Sequence, residues 1–209
     1  MQVAIKDIMV DVSIIYKNNK NIYFRFNNNT LVVTCNRFVT QKYIKELIQK
    51  NEDSLYKMYK KTLKEVESNL YFNYLGDKYT IVYDNVTKNP YFEGDMIFAK
   101  DEKTLNKFYD KECLRIFGIE VERISKYFDN IPSFSLKVRK MKTRWGVNNI
   151  TRRTITLNSE LLKKKVYLLD YVIIHELCHF YEANHSKRFW EHVSRYYPKY
   201  KEARKELRG

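Results

Sequence analysis

One stretch, residues 170–179, constrains the fold of this chain more than any other part of its sequence. It reads Asp-Tyr-Val-Ile-Ile-His-Glu-Leu-Cys-His and contains neither glycine nor proline. Apolar residues surround the H-E-x-x-H pattern and continue to Phe180, which predicts a helix that is apolar nearly all round. Helices of this kind are buried, so we expect the chain to fold its core around this one.

The two histidines of this stretch, His175 and His179, are four residues apart. Because an α-helix turns by about 100° per residue, both imidazoles lie on one face and can reach the same metal ion. Glu176 lies on the same side, near enough to reach a water molecule on that ion without binding the ion itself. This arrangement is typical of zinc hydrolases, and it predicts a Zn²⁺ cofactor.

A catalytic zinc ion needs a third protein ligand, because such sites use three ligands and leave the fourth position open. His185 is the candidate, since Asn184 is a typical helix end at which the chain can turn back. All four histidines of the chain lie between positions 175 and 192. Burying two imidazoles and a carboxylate without partners would be costly, and a metal ion would compensate. The other candidates for the third ligand are Cys178, Glu191 and His192.

The composition indicates one folded domain, or one domain with a subdomain. The 209 residues are 44% hydrophobic, which is enough for a sizeable core. We see no transmembrane run and no signal peptide, so we expect no membrane partner. The three cysteines are an odd number without paired spacing, which is typical of a reducing compartment and predicts a cytoplasmic protein.

Part of the net charge of +14 is concentrated in residues 137–153. A basic segment of this kind is either a footprint for nucleic acid or the solvated face of a strand, and both interpretations remain open. Its basic residues are Lys137, Arg139, Lys140, Lys142, Arg144, Arg152 and Arg153.

The periodicity of apolar residues predicts two regions. Residues 1–100 form a β-rich N-terminal region with one long helix over 41–67, and an antiparallel meander precedes that helix. Residues 101–209 form the catalytic region. Its predicted elements are a helix over 103–128, a hairpin of strands 135–145 and 154–157, the H-E-x-x-H helix, and helices over 187–196 and 198–207.

Four motifs in this order resemble the YgjP-like metallopeptidases, which are more distantly related to SprT-like zinc proteins. The motifs are Arg144-Trp145-Gly146, Ile155-Thr156-Leu157-Asn158, the stretch 169–179, and Asn184-His185-Ser186-Lys187-Arg188-Phe189-Trp190. They cover roughly residues 136–208, and the N-terminal half is similar in pattern only. The resemblance implies an α+β, zincin-like minimal metallopeptidase fold with an N-terminal β-rich region.

The resemblance also implies a function, the hydrolysis of peptide bonds in polypeptide substrates by a zinc-activated water. Its zinc ligands would be His175, His179 and His185, with Glu176 as general base and acid. Three further residues are candidate substrate contacts, although Arg144 in a salt bridge and Trp145 in packing beneath the metal site are the alternatives. These candidates are Arg144, Trp145 and Gly146. Asp170 and Glu182 are candidates for orienting the imidazoles, and we expect His192 at the surface.

The chain departs from the family pattern at two places. The family typically continues Arg-Trp-Gly with Ser-Cys-Ser, whereas this chain has Val147-Asn148-Asn149. Cys178 stands where the family usually has alanine. It is either a soft fourth ligand that closes the site or a small buried residue without a catalytic role.

A second class of function is a nucleic-acid-associated adaptor whose zinc is structural, or a protease that acts on DNA-bound proteins. The basic strands within 137–153 favour this class. The presence of Glu176 argues against the adaptor, because a purely structural site has no use for a buried general base.

Overall fold

The computed structural model describes residues 1–208, which divide into two compact units between Leu70 and Tyr71. This division comes earlier in the chain than the predicted boundary at residue 100. The reason is that residues 71–99 belong to the second unit: the Leu75 N–H donates to the Leu162 carbonyl at 2.7 Å, and Tyr74 packs against the core of that unit. The mixture of helices and sheets confirms the α+β class.

The first unit is a four-stranded sheet with two helices. Its elements are β1 (Gln2–Ile5), β2 (Ile8–Tyr16), β3 (Tyr23–Asn27), β4 (Thr30–Cys35), α1 (Gln41–Lys50) and α2 (Glu52–Leu70). The strand order is β1-β2-β4-β3, and β2 pairs with β4 in parallel, so the predicted meander is wrong. Strand β4 is one of the two inner strands, with Leu31, Val33 and Cys35 fully buried, whereas β3 exposes Tyr23 and Arg25 at the edge.

The long helix predicted for this unit is interrupted at Asn51. The side-chain amide of Asn51 donates to the Leu47 carbonyl at 2.8 Å and so satisfies the end of α1. Two acidic residues, Glu52 and Asp53, then occupy the first turn of α2, where they favour a new helix start.

The second unit begins with a sheet of order β5-β6-β8-β7, which is followed by a long helix. These elements are β5 (Tyr71–Tyr74), β6 (Asp77–Tyr83), β7 (Tyr91–Glu93), β8 (Met96–Ala99) and α3 (Glu102–Ser125). Asp101 caps α3 by accepting a hydrogen bond from the Thr104 N–H at 2.7 Å. Phe72, Ile97 and Leu105 form the small core between this sheet and α3.

A three-stranded sheet and three helices complete the unit. They are β9 (Ser135–Arg139), β10 (Gly146–Asn149), β11 (Thr154–Asn158), a short 3-10 helix (Ser159–Lys163), α4 (Val166–Cys178), α5 (Lys187–Tyr196) and α6 (Tyr200–Arg208). The predicted strand 135–145 is wrong in part, because it ends at Arg139 and pairs with β11 in parallel. Residues 140–145 form a loop instead, and the chain returns as β10, which pairs with β11 in antiparallel orientation.

Helix α4 lies in the largest core of the second unit, as its apolar sequence predicts. Leu169, Ile173 and Leu177 are fully buried on it, and α3 packs against it. Within residues 1–208, none of the helices combines the length and apolarity that crossing a bilayer requires.

Candidate metal centre

Three imidazoles meet at the C-terminal end of α4. His175 lies in the last turn, and His179 follows directly as the C-cap residue with helical backbone angles. His185 joins them from the loop that leads to α5. One ring nitrogen from each of the three lies within 4.8 Å of those of the other two, and Nε2 of His185 is 3.0 Å from Nε2 of His175.

The turn after α4 brings His185 back to the helix, as Asn184 predicts. The Asn184 side-chain oxygen accepts a hydrogen bond from the Ser186 N–H at 3.1 Å, and the Ser186 hydroxyl caps α5 through the Phe189 N–H at 3.2 Å. The buried Phe189 ring packs on all three imidazoles, with centroid distances of 4.9, 4.5 and 4.8 Å to His175, His179 and His185. The imidazoles are therefore held in place by packing as well as by the backbone.

The donor set of this cluster fits a divalent metal such as zinc. Burial and the two neighbouring histidines lower the pKa of His175 to about 3, so the ring is neutral at pH 7 and has a free lone pair. Two nitrogens bound to one tetrahedral zinc ion lie about 3.3 Å apart, close to the 3.0 Å between His175 and His185. The His179 Nδ1 lies 3.1 Å from the Glu182 carbonyl oxygen, and donation there leaves Nε2 free for a metal.

Glu176 is buried beside the cluster, with 4% of its surface exposed. Burial raises the pKa of its carboxyl to about 8, and the Asn148 backbone N–H and the Arg144 charge oppose the shift. Gly146 of β10 lies against this carboxyl: a Cβ built at position 146 would be 2.5 Å from the Glu176 Oε1. Only glycine leaves room for the carboxyl at this position.

Asn148 is a site residue that the sequence did not single out for a role. Its side-chain amide donates to the backbone carbonyl of Glu176 at 2.7 Å, and its own N–H bonds the Glu176 carboxyl. Strand β10 is therefore fixed to the end of α4 through one residue. The departure from the family pattern at 147–149 was the available signal for it.

Arg144, Trp145 and Gly146 line one cleft of about 730 Å³ together with the three imidazoles and Glu176. The Trp145 indole N–H donates to the Leu207 carbonyl of α6 at 3.0 Å. Arg144 is exposed and, within residues 1–208, pairs with no carboxylate, so the salt-bridge alternative for it is wrong. Helix α6 adds Arg204 and Arg208 to the cleft, which no sequence motif had indicated.

The remaining candidates lie outside the cluster. Cys178 is fully buried in the core, where burial raises its thiol pKa to about 12, and it is not grouped with the imidazoles. Asp170 pairs with Arg123 at 2.7 Å instead of orienting an imidazole. Glu182 supplies its backbone carbonyl to His179, while its side chain lies 3.3 Å from Arg188.

The two residues considered as alternative third ligands on α5 also lie elsewhere. His192 is half-buried and packs on the Tyr181 ring, with 5.1 Å between the ring centroids. Glu191 lies 4.0 Å from Lys187. Among the described residues, His185 is therefore the third member of the cluster.

One family of known proteins matches most of the chain. The YgjP-like metallopeptidase domain matches residues 20–209. The chain belongs to the YgjP-like metallopeptidase family. Membership makes it a metallopeptidase, a hydrolase whose substrates are polypeptides, and confirms the resemblance seen in the four motifs.

Two solved structures are also similar. The metallopeptidase zymogen jannalysin of Methanocaldococcus jannaschii is 23% identical, with a TM-score of 0.40 over 44% of this chain and 92% of its own. The zymogen abylysin of Pyrococcus abyssi is 23% identical, with a TM-score of 0.41 over 44% of this chain and 90% of its own. Among proteins of curated function, none matches the chain.

Proposed function

We propose that this chain is a zinc-dependent peptidase in which His175, His179 and His185 hold the metal and Glu176 is the general base. One observation carries the proposal: three imidazoles and one buried carboxyl converge in a single cleft. When bound, zinc supplies a Lewis acid that polarises the scissile carbonyl and lowers the pKa of water towards neutrality.

Glu176 has the properties that a general base requires. Burial raises the pKa of the carboxyl in the metal-free chain, and the positive charge of a bound metal ion would lower it again, so that the ionised form that accepts a proton would be present near neutral pH. The carboxyl takes the proton of the attacking water and passes it to the amine that leaves. Gly146 and Asn148 hold it in position from β10 while it does so.

Strand β10 supplies an edge for the substrate backbone. It is the outer strand of its sheet, and the Asn158 N–H donates to the Trp145 carbonyl at 2.9 Å just before it. Because bonded and non-bonded pairs alternate in antiparallel strands, the backbone groups of Gly146 and Asn148 point away from β11. An extended polypeptide can therefore pair with Gly146, and β-augmentation of this kind requires little sequence specificity.

The decisive variant is Glu176→Gln, assayed for hydrolysis of an unstructured polypeptide such as casein. Glutamine keeps the volume and the hydrogen bonds of Glu176 but cannot accept the proton, so we expect hydrolysis to fall by a factor of about 10² to 10⁴. Circular dichroism and elemental analysis should show unchanged folding and zinc content. Undiminished hydrolysis would exclude Glu176 as the base, and loss of zinc or of the fold would make it a scaffold residue.

The metal ligands are tested by elemental analysis of His185→Ala, with His192→Ala as the matched control on the neighbouring helix. We expect about one zinc ion per chain in wild type and in the control, and a much weaker affinity in His185→Ala, because His185 belongs to the cluster and His192 does not. Full retention of zinc in His185→Ala would exclude His185 as a ligand.

The nucleic-acid alternative has less support. The basic residues of 137–153 are divided among β9, a loop and a turn, and Lys140 is paired with Glu160 at 3.2 Å. This division and the pairing of Lys140 lend no support to a continuous basic stripe that tracks a phosphate backbone.

A further inference from the structure

The cleft beside the imidazoles is surrounded by positive charge. Arg144 lines it before β10, and Arg204 lines it from α6. Glu176 is the only carboxyl among its lining residues within 1–208, and it is buried. A substrate in this cleft therefore meets unneutralised guanidinium groups and almost no negative charge.

A second pocket, of about 660 Å³, adjoins the cleft and shares the wall formed by Thr143, Arg144, Trp145 and Leu207. It adds three lysines: Lys142, Lys163 and Lys164. Its one carboxylate, Glu160, already pairs with Lys163 at 2.8 Å and with Lys140 at 3.2 Å. The charges of Lys142, Arg144 and Lys164 consequently remain available to a ligand.

The loop that carries Arg144 is held rigid from below. Asn158 is 3% exposed, and its side-chain amide donates to the carbonyls of Met141 at 2.9 Å and Arg144 at 2.8 Å. Its side-chain oxygen accepts the Met141 N–H at 3.2 Å. The next residue, Trp145, is fixed to α6 and lies beneath the Lys164 ammonium, which is 5.6 Å from its ring centroid. The backbone that carries Arg144 is therefore fixed, which lowers the entropic cost of binding a ligand beside it.

We propose that the adjoining pocket is a subsite for an acidic side chain of the substrate, with Arg144 as its main contact and Lys142 and Lys164 as supporting charges. A guanidinium binds a carboxylate through two parallel hydrogen bonds, which gives selection for glutamate or aspartate over their amides. The inference rests on the proposed function, since it concerns the residue that a bound polypeptide places beside the scissile bond.

A peptide is the ligand that the geometry favours. Arg144 lines both the pocket and the cleft of the imidazoles, so a polypeptide bound in the cleft lies beside this guanidinium. Its volume suits one or a few side chains, whereas a nucleic acid needs a track of several phosphate contacts.

The test is direct binding, which does not depend on hydrolysis. A pair of short fluorescein-labelled peptides that differ only in glutamate or glutamine is titrated by fluorescence anisotropy into zinc-loaded Glu176→Gln protein. Because charge-assisted hydrogen bonds are the stronger ones, we expect about tenfold tighter binding of the glutamate peptide. Adding Arg144→Gln, or Lys142→Gln with Lys164→Gln, should reduce this ratio to about threefold or less.

The matched control is Lys111→Gln, an exposed lysine of α3 that lines neither pocket, and it should leave the ratio unchanged. Equal binding of the two peptides, or selection that survives Arg144→Gln, would overturn the subsite. Displacement of the glutamate peptide by single-stranded DNA at lower concentration than by unlabelled peptide would overturn it in favour of a nucleic-acid site. Selection without any casein hydrolysis by wild type would reject the proposed function alone, and hydrolysis without selection would reject the subsite alone.

Discussion

Only glycine fits at position 146, because the Glu176 carboxyl occupies the space that a Cβ would need. The contact depends on β10 lying across the end of α4, and these two segments are far apart in sequence. The sequence pattern around Gly146 does not predict this contact, and only the family motif singled out the residue. The histidine spacing and the turn at Asn184 are local features, and for that reason the sequence predicted them correctly.

Gly146→Ala tests this contact. A methyl group would come within 2.5 Å of Oε1 and must displace the carboxyl, so we expect a loss of about 1–3 kcal/mol in the free energy of unfolding. Misplacement of the base should lower kcat by about 10². Urea unfolding and a casein assay measure the two effects.

The control is Gly118→Ala in α3, where a Cβ meets nothing within 4 Å. Alanine there should stabilise the helix by up to about 1 kcal/mol and leave kcat unchanged. Equal behaviour of the two alanine variants would contradict the steric role of Gly146.

At the scale of elements, helices followed from periodicity whereas strand partners did not. The apolar spacing predicted α3, α4 and α5 to within a few residues, because a helix is made of local contacts. Strand pairing is non-local. The sequences of β2 and β9 do not indicate that their partners, β4 and β11, are parallel. The sequence likewise did not predict that α6 lines the cleft, because this position depends on tertiary packing.

Ser186 is the N-cap residue of α5 and directly follows His185 of the candidate metal centre. Its hydroxyl caps α5 directly after His185, so Ser186→Ala should cost about 1 kcal/mol of stability. It should also weaken zinc binding by about tenfold, because the turn that presents His185 loosens. Thr40→Ala removes a comparable cap from α1 in the first unit and should leave the zinc affinity, measured by competition with a chelator, unaltered.

Glu112 of α3 accepts a hydrogen bond from the Tyr74 hydroxyl of β5, and it makes a pH-dependent contribution to the free energy of unfolding. The Arg115 guanidinium, with help from the Tyr74 hydroxyl, lowers the pKa of Glu112 below its ordinary value of 4.5. A carboxyl whose pKa is lowered in the folded state stabilises the fold above pH 4.5, and this contribution disappears as the pH falls through the folded pKa. Glu112→Gln should therefore be less stable than wild type in urea at pH 7, and the difference should shrink as the pH falls below 4.5. A difference that does not change with pH would assign the effect to packing.

At the scale of the whole molecule, each unit draws its core from its own residues. The core of the first unit includes Ile5, Leu31 and Ile48, and the core around α4 lies within the second. We therefore propose a boundary at residue 70 in place of the one the sequence suggested at 100. A sequence pattern cannot reveal this boundary, because the aromatic strands after it look like those before it.

A fragment of residues 71–209 should fold alone and bind zinc as tightly as the full chain. Thermal unfolding followed by circular dichroism and zinc competition would measure both. Aggregation of the fragment would show that the second unit needs the first, provided that the Cys178→Ala form of the fragment also aggregates. That variant excludes oxidation of this free cysteine as the cause.

The three imidazoles stand at the margin of a core that already surrounds α4 with apolar side chains. Removal of the proposed zinc ion should therefore abolish activity without unfolding the protein. A zinc finger differs, because it is unfolded without its metal. EDTA should abolish hydrolysis while the circular dichroism spectrum persists, and added zinc should restore the rate within the mixing time. On the proposed function, the peptidase would persist as a folded apoprotein without zinc, and its active fraction would follow the free zinc concentration.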